Sequence, residues 1–188
     1  MPIYLNDSKL KLYKAKLTYG VKNVNAIVVV DEKWGIGKNN GLLFRLKKDM
    51  AFFRQMTTGK VIVVGANTYN SFPNGALPNR TNIVLDDSGK QYPDATTVTS
   101  VNELDKALAV YNTDDVFICG GASVYSLLIE RCKYAYVTKV AADGKAEVFF
   151  PHLDKLQNWK LVETSEPIQD GEYQIQFCKY VNTSSVGV

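Results

Sequence analysis

Three nearly continuous apolar runs constrain this chain most: VNAIVVV from Val24 to Val30, stopping at Asp31; KVIVVG from Lys60 to Gly65; and DVFICGG from Asp115 to Gly121. A strand with one wet face alternates apolar and polar residues. Runs that do not alternate read as strands covered on both faces, which is the condition of a parallel sheet flanked by helices. The first run is followed by WGIGKNNG, whose glycines and asparagines predict a loop, and then by FRLKKDMAFFRQMTTG. There Leu46, Met50, Phe53 and Met56 recur three or four apart and the pattern closes at Gly59, as in an amphipathic helix.

The same alternation continues. NTYNSF predicts a short helix, PNGALPN turns, TNIVLDD is a strand, and Thr96 to Thr99 another. Ser100 and Glu103 have capping-box spacing ahead of a helix through Val110. SVYSLLIERC continues the glycine pair as a helix, and YAYVTKV is a strand. NWKLVETSE and EYQIQFCKYV alternate, have no helix between them and are separated only by PIQDG, so they predict a hairpin at the sheet edge. The expected fold class is α/β: a mostly parallel mixed sheet of about eight strands, helices on both faces, and a C-terminal antiparallel hairpin. One domain is expected over residues 24–182, after a basic N-terminal extension (1–23) and before a short tail (183–188).

Composition narrows the function. With 188 residues, 46% hydrophobic and 22% charged, the chain suits one domain with a real core. Cys119, Cys132 and Cys178 lie far apart and His152 is the single histidine, so no metal site has the required spacing. An odd cysteine count argues against a disulfide framework, and Cys119 and Cys178 sit in apolar runs as buried thiols. No apolar run approaches the roughly 20 residues that span a bilayer, so a soluble cytoplasmic protein is expected, with no membrane partner. Lys9, Lys11, Lys14, Lys16 and Lys22 against Asp7 account for more than the whole net charge of +3. The rest is close to neutral, which weakens any nucleic-acid reading. KLKLYKAKL in the extension fits an edge strand, an amphipathic helix or a solvated arm; a surface segment without chemistry is favoured.

In open α/β sheets ligands bind beyond the carboxyl ends of the strands. Gly120-Gly121 falls there, where it lets a backbone approach an anion such as a pyrophosphate, although a Gly-Gly pair alone is a weak signal that more often marks an ordinary tight turn. Gly65-Ala66-Asn67-Thr68 repeats the pattern, and two such places in one sheet fit a long ligand with several polar parts. Asp49 lies on the apolar side of the first helix, flanked by Leu46, Met50, Phe52 and Phe53. A carboxylate there is either desolvated and functional or turned to the edge of the face.

With these residues placed, the chain resembles the dihydrofolate reductases over nearly all of Val24 to Val181. The matching segments run in order: AIVVVDEKWGIGKNNGLL, RLKKDMAFF, VIVVGANTY, LPNRTNIVL, FICGGASVY, YVTKV and FFP. The resemblance implies reduction of dihydrofolate by a nicotinamide cofactor, with Asp49 as the single essential acid, gripping the pterin and favouring protonation at N5. It implies that Thr138 hydrogen-bonds Asp49, and that Ile27, Phe44, Met50 and Phe53 wall the pterin. Arg80 would pair with the α-carboxylate of the glutamate tail, and backbone carbonyls of Asn25 and Cys119 would face the pterin amino group.

For the cofactor it implies Gly120, Gly121, Ala122, Ser123, Val124 and Tyr125 at the pyrophosphate and Gly65, Asn67 and Thr68 at the adenosine phosphates. Ala26, Leu85, Asp86 and Cys119 complete that set. A loop with Ile36, Gly37, Asn40 and Leu42 would close over the nicotinamide.

Two departures stand out. Leu43-Phe44 replaces the usual Pro-Trp, removing an indole N–H. Ala66, Asp86 and Asp87 occupy positions where the family places basic or hydroxyl residues for the 2′-phosphate, so NADPH is expected with NADH left open. A monomer is expected. The rivals are a same-fold reductase of riboflavin biosynthesis, against which Asp49 and Arg80 stand, and a non-catalytic member whose basic arm binds an anionic partner.

Overall fold

The computed structural model describes residues 20 to 185 together with Ser8; the readings of the basic segment before Gly20 lie outside the described residues. The chain runs β1 (Val24–Val30), β2 (Gly35–Lys38), β3 (Gly41–Leu42), α1 (Lys47–Thr57), β4 (Val61–Gly65), α2 (Ala66–Asn70), β5 (Thr81–Leu85) and β6 (Thr96–Val98). It continues with α3 (Val101–Leu108), β7 (Val116–Ile118), α4 (Ala122–Leu128), β8 (Cys132–Val140), β9 (Val148–Phe149), β10 (Trp159–Thr164), β11 (Ile168–Asp170) and β12 (Tyr173–Asn182).

The three apolar runs become β1, β7 and β4, adjacent at the centre of a sheet ordered β10-β12-β8-β1-β7-β4-β5-β6, with β11 paired to β12. From β8 to β6 every neighbouring pair is parallel, and β12 joins β8 antiparallel. Side chains along β1 go alternately to the two faces. Ala26, Val28 and Val30 join the cluster that holds Leu104 and Leu108 of α3 and Val124 and Leu128 of α4. Ile27 joins Ile62 and Phe117 against Phe52, Phe53 and Met56 of α1. Helices therefore cover both faces, as the absence of alternation required.

The differences from the sequence reading have local causes. WGIGKNNG is not a plain loop: β2 and β3 pair within it, and β9 pairs with β2 to make a second, three-stranded sheet. Its glycines make this possible, since a Cβ on Gly35 would lie 2.2 Å from the Ala146 Cβ and one on Gly37 2.9 Å from the Val148 Cγ2. The hairpin linker PIQDG holds a strand of its own, β11, which returns onto β12 through a turn at Gly171 (φ +62°) and brings the main sheet to nine strands. Ser100 caps α3 by accepting from the Glu103 N–H, while the Glu103 carboxylate takes the N–H of Thr99, not that of Ser100. The described chain is already packed where it begins, because Val21 is buried and its N–H bonds Asp105.

One side chain ties the small sheet to the large one. Asp31, 2% exposed just past the end of β1, accepts N–H groups of Lys33 (2.8 Å) and Gly35 (2.7 Å) on Oδ1 and of Gly144 (3.1 Å) on Oδ2. Asp31→Ala leaves three backbone donors, the one on Gly35 buried, without their charged acceptor and is expected to cost about 3 kcal/mol. Urea unfolding measures this, and a wild-type midpoint would show that water replaces the carboxylate.

Candidate active site

The site grows from a helix whose apolar face is left half uncovered. Among the described residues of α1 only Thr57 is buried; Phe52, Phe53 and Met56 are half-buried and Met50 is 56% exposed. An amphipathic helix fully docked on a sheet would hide these side chains, so this face borders an opening. Asp49 sits half-buried on it. The Thr138 hydroxyl, on a residue 1% exposed in β8, hydrogen-bonds it. Burial pushes the Asp49 pKa above the ordinary carboxylate value, the neighbouring charge of Asp170 pushes the same way, and the Thr138 bond opposes both. No salt bridge to Asp49 occurs among the described residues.

Phe53 continues the patch. The Arg80 guanidinium lies 5.8 Å from its ring centroid and is aimed by two bonds, Nε to Thr57 Oγ1 (2.8 Å) and Nη1 to the Pro78 carbonyl (2.7 Å). Thr57, fully buried, in turn donates to the Phe53 carbonyl at 2.7 Å. The last turn of α1 thus holds the arginine in a fixed direction, with its side chain half-buried.

Beside this patch is a cavity of about 810 Å³ at the carboxyl ends of β1, β4, β5 and β7. Its middle is built from the two strand-glycine-helix junctions, which the Gly65 N–H joins by bonding the Gly120 carbonyl at 2.7 Å. The Gly120-Gly121 peptide is cis. A Cβ on Gly121 would stand 3.2 Å from the Thr68 Oγ1 and one on Gly65 3.1 Å from the Val124 Cγ2, so both glycines keep open a passage that side chains would narrow. Ile36 and Gly37 line one end with Asn40 and Leu42, and Leu85, Asp86 and Asp87 line the other. Asp86 accepts from the Tyr92 hydroxyl (2.6 Å) and the Ser88 N–H (3.0 Å), and the Tyr92 bond leads in lowering its pKa.

Most residues singled out in the sequence for the cofactor line this cavity: Asn67, Thr68, Cys119, Gly120, Gly121, Ala122, Ser123, Val124 and Tyr125 join those just named. Asp49, Ile27, Met50, Phe53, Arg80 and Thr138 lie outside its wall. Cys119 packs with Ile27 and Phe53, and Val29, which lines the cavity, is the β8 register partner of Thr138. The Tyr125 hydroxyl donates to the Ile27 carbonyl at 2.6 Å, and burial holds that phenol well above its ordinary pKa.

Three of the expected residues stand away from the cavity. Asn25 and Ala26 belong to the opposite end of β1, where the Asn25 amide bonds the carbonyls of Asp114 and Val116 and Ala26 is wholly buried in the core. The strand runs toward Val30, so Val28 and Val29 reach the cavity instead. Phe44 is 6% exposed and packs edge-on to Tyr173 at 4.9 Å with Val140 and Ile175. The sequence reading also missed Thr57 and Asp170. The direction of β1 held the signal for Val28 and Val29, but nothing local marks Asp170, whose partners are distant in the chain.

Among the described residues no cluster of metal-binding side chains occurs and no helix is long and apolar enough to cross a membrane. A sequence model of dihydrofolate reductase matches residues 23–182. The dihydrofolate reductase of Bacillus subtilis is 30% identical over 165 residues, covering 86% of this chain and 96% of that protein. That of Enterococcus faecium is 32% identical over 160 residues, covering 83% and 95%. Among solved structures, the dihydrofolate reductase of Enterococcus faecalis complexed with NADP(H) and RAB-propyl superposes with a TM-score of 0.75 at 30% identity, covering 85% of this chain and 95% of that one.

The fold and its cleft are those of an α/β oxidoreductase. The chain belongs to the dihydrofolate reductase family and is, as such, an NADPH-dependent enzyme.

The environment of Asp49 has a measurable cost. A carboxyl whose folded pKa is raised contributes its full stability below the unfolded pKa and loses it as pH rises through the folded one. Asp49→Asn is therefore expected to stabilise the protein at neutral pH, by about 1 kcal/mol, with the gain vanishing in acid. Thermal melts across pH test this; an equal gain at every pH would place its origin elsewhere.

Proposed function

We propose that this chain reduces 7,8-dihydrofolate to 5,6,7,8-tetrahydrofolate with hydride from NADPH, with Asp49 holding the pterin and promoting protonation at N5. The observation that carries the reading is a half-buried carboxyl on an open apolar face, hydrogen-bonded to Thr138 and without a cationic partner among the described residues. Such a group gains most from a flat ligand that offers adjacent N–H donors, as the 2-amino and N3 positions of a pterin do. Its raised proton affinity suits it to keep a proton near N5. Phe53, Ile27 and Met50 supply the apolar walls, and Arg80, aimed by Thr57, offers a fork suited to the α-carboxylate of the glutamate tail.

The cavity fits a dinucleotide by its glycine cradle. Gly65, Gly120 and Gly121 leave backbone where side chains would intrude, with Asn67, Thr68, Ala122, Ser123 and Val124 around them. NADPH bound there supplies the hydride. Ile36, Gly37 and Leu42 of the small sheet line one end of the cavity, where a bound cofactor would be shielded from water. A monomer belongs to this reading, and three free cysteines suit a cytoplasmic protein.

The test is the initial rate of NADPH oxidation with dihydrofolate. Asp49→Asn should keep the fold and cofactor binding but lose about 100-fold or more of turnover at neutral pH, recovering in acid where the substrate arrives protonated. Unchanged neutral turnover would remove Asp49 from the chemistry. At the far end, Asp86 and Asp87 stand where a 2′-phosphate would meet two carboxylates. Asp86→Arg with Asp87→Ser should favour NADPH over NADH by about 1 to 3 kcal/mol more than the parent does. An unchanged ratio of kcat/KM values would place those acids outside the phosphate's reach.

A further inference from the structure

Nothing local explains how the first turn of α1 is held. Its N-cap is Leu46, which offers no acceptor side chain, and Lys47 and Lys48 put two cations at the positive end of the helix macrodipole. The acceptor comes from Asp170, 123 residues beyond Lys47. Its Oδ1 takes the Lys47 N–H at 3.1 Å, and its Oδ2 takes those of Lys48 (2.7 Å) and Asp49 (3.3 Å). Asp170 is 4% exposed, a burial that a carboxylate sustains only when hydrogen bonds replace its water. It ends β11, is the register partner of Tyr173, and precedes the turn at Gly171.

We propose that Asp170 is a positioning residue for Asp49: it anchors the first turn of α1 to the β11–β12 hairpin and places a second negative charge beside the Asp49 carboxyl. The proposal rests on the role given to Asp49 above.

Geometry supports the anchoring. The Asp49 backbone N–H is itself one of the three donors, so Asp170 restrains the residue and not merely its helix. The other restraint, Thr138, lies on β8 opposite Phe177 of β12. Asp49 is therefore held from two strands, β11 and β8, that flank β12. Burial comes first in raising the pKa of Asp49, and the charge of Asp170 adds to it. The groups acting on Asp49 are Asp170 from β11, Thr138 from β8 and Tyr125 from α4. The side chains of Lys47 and Lys48 are exposed, and Glu172 and Tyr173 engage each other. A negative charge at this distance from solvent favours the neutral form of its neighbour.

The experiment compares wild type, Asp170→Asn and Asp170→Ala by carboxyl carbon NMR titration of Asp49 and by the pH dependence of dihydrofolate turnover. Asn keeps an acceptor and removes the charge. Asp170→Asn is expected to lower the Asp49 midpoint by roughly half to one pH unit, and to move the alkaline fall of turnover the same way. Asp170→Ala is expected to raise KM for dihydrofolate and lower kcat, together about tenfold in kcat/KM, with Asn restoring most of that loss.

A cap with only a structural role would change stability and leave the Asp49 midpoint in place. A wild-type midpoint in Asp170→Asn, which carries the test if the alanine variant does not fold, overturns the proposal. A shifted midpoint in a protein that does not turn over dihydrofolate upholds the link between the two acids and overturns the reading of the reaction instead.

Discussion

The parallel register of β1, β7 and β4 is the constraint on which the rest depends. Strands that run the same way finish at the same edge, and each must be followed by a chain that climbs back over a face. Three finishes, at Asp31, Gly65 and Gly120, are thereby brought side by side, and there the Gly65 N–H bonds the Gly120 carbonyl. Burial of both faces makes the sheet rigid, and rigidity of the sheet gives the edge its geometry. The cavity exists because the last residues of these strands have run out of sheet to pack on and not out of partners to bond.

Against this frame the carboxylates divide by where their bonds come from. Asp31 satisfies itself with backbone N–H groups of nearby loops, and Asp105 with Val21 and Arg131. Both are buried and structural. Asp49 is less buried yet worse provided for, with one hydroxyl and a like charge as its neighbours. A fold that maximised its own stability would not place it so, and functional sites are where such local conflicts with stability collect. The half-covered face of α1 is the apolar counterpart of that conflict, since Met50 and its neighbours forgo contacts that a bound ligand would supply.

The glycines show how one residue type does unrelated jobs. Gly35 and Gly37 let two short strands approach more closely than a Cβ allows, whereas Gly65 and Gly121 hold space open beside Val124 and Thr68. Read locally, all four are punctuation; only their neighbours in space tell pairing from vacancy.

The sequence by itself determined the fold class and the central strands, because burial on both faces writes apolar runs that need no partner to be read, while helical spacing put Asp49 on the apolar side of α1 and left its role open. The order of the segments also sufficed to identify the family. Tertiary structure alone decided that Val28 and Val29, and not Asn25 and Ala26, reach the cavity, since a buried run looks the same from either end until its direction in the sheet is known. It alone turned Phe44 inward against Tyr173, made strands of WGIGKNNG and PIQDG, and sent Asp170 to cap a helix 123 residues away. Those outcomes depend on contacts between segments far apart in the chain, and such contacts leave no period in the sequence that makes them.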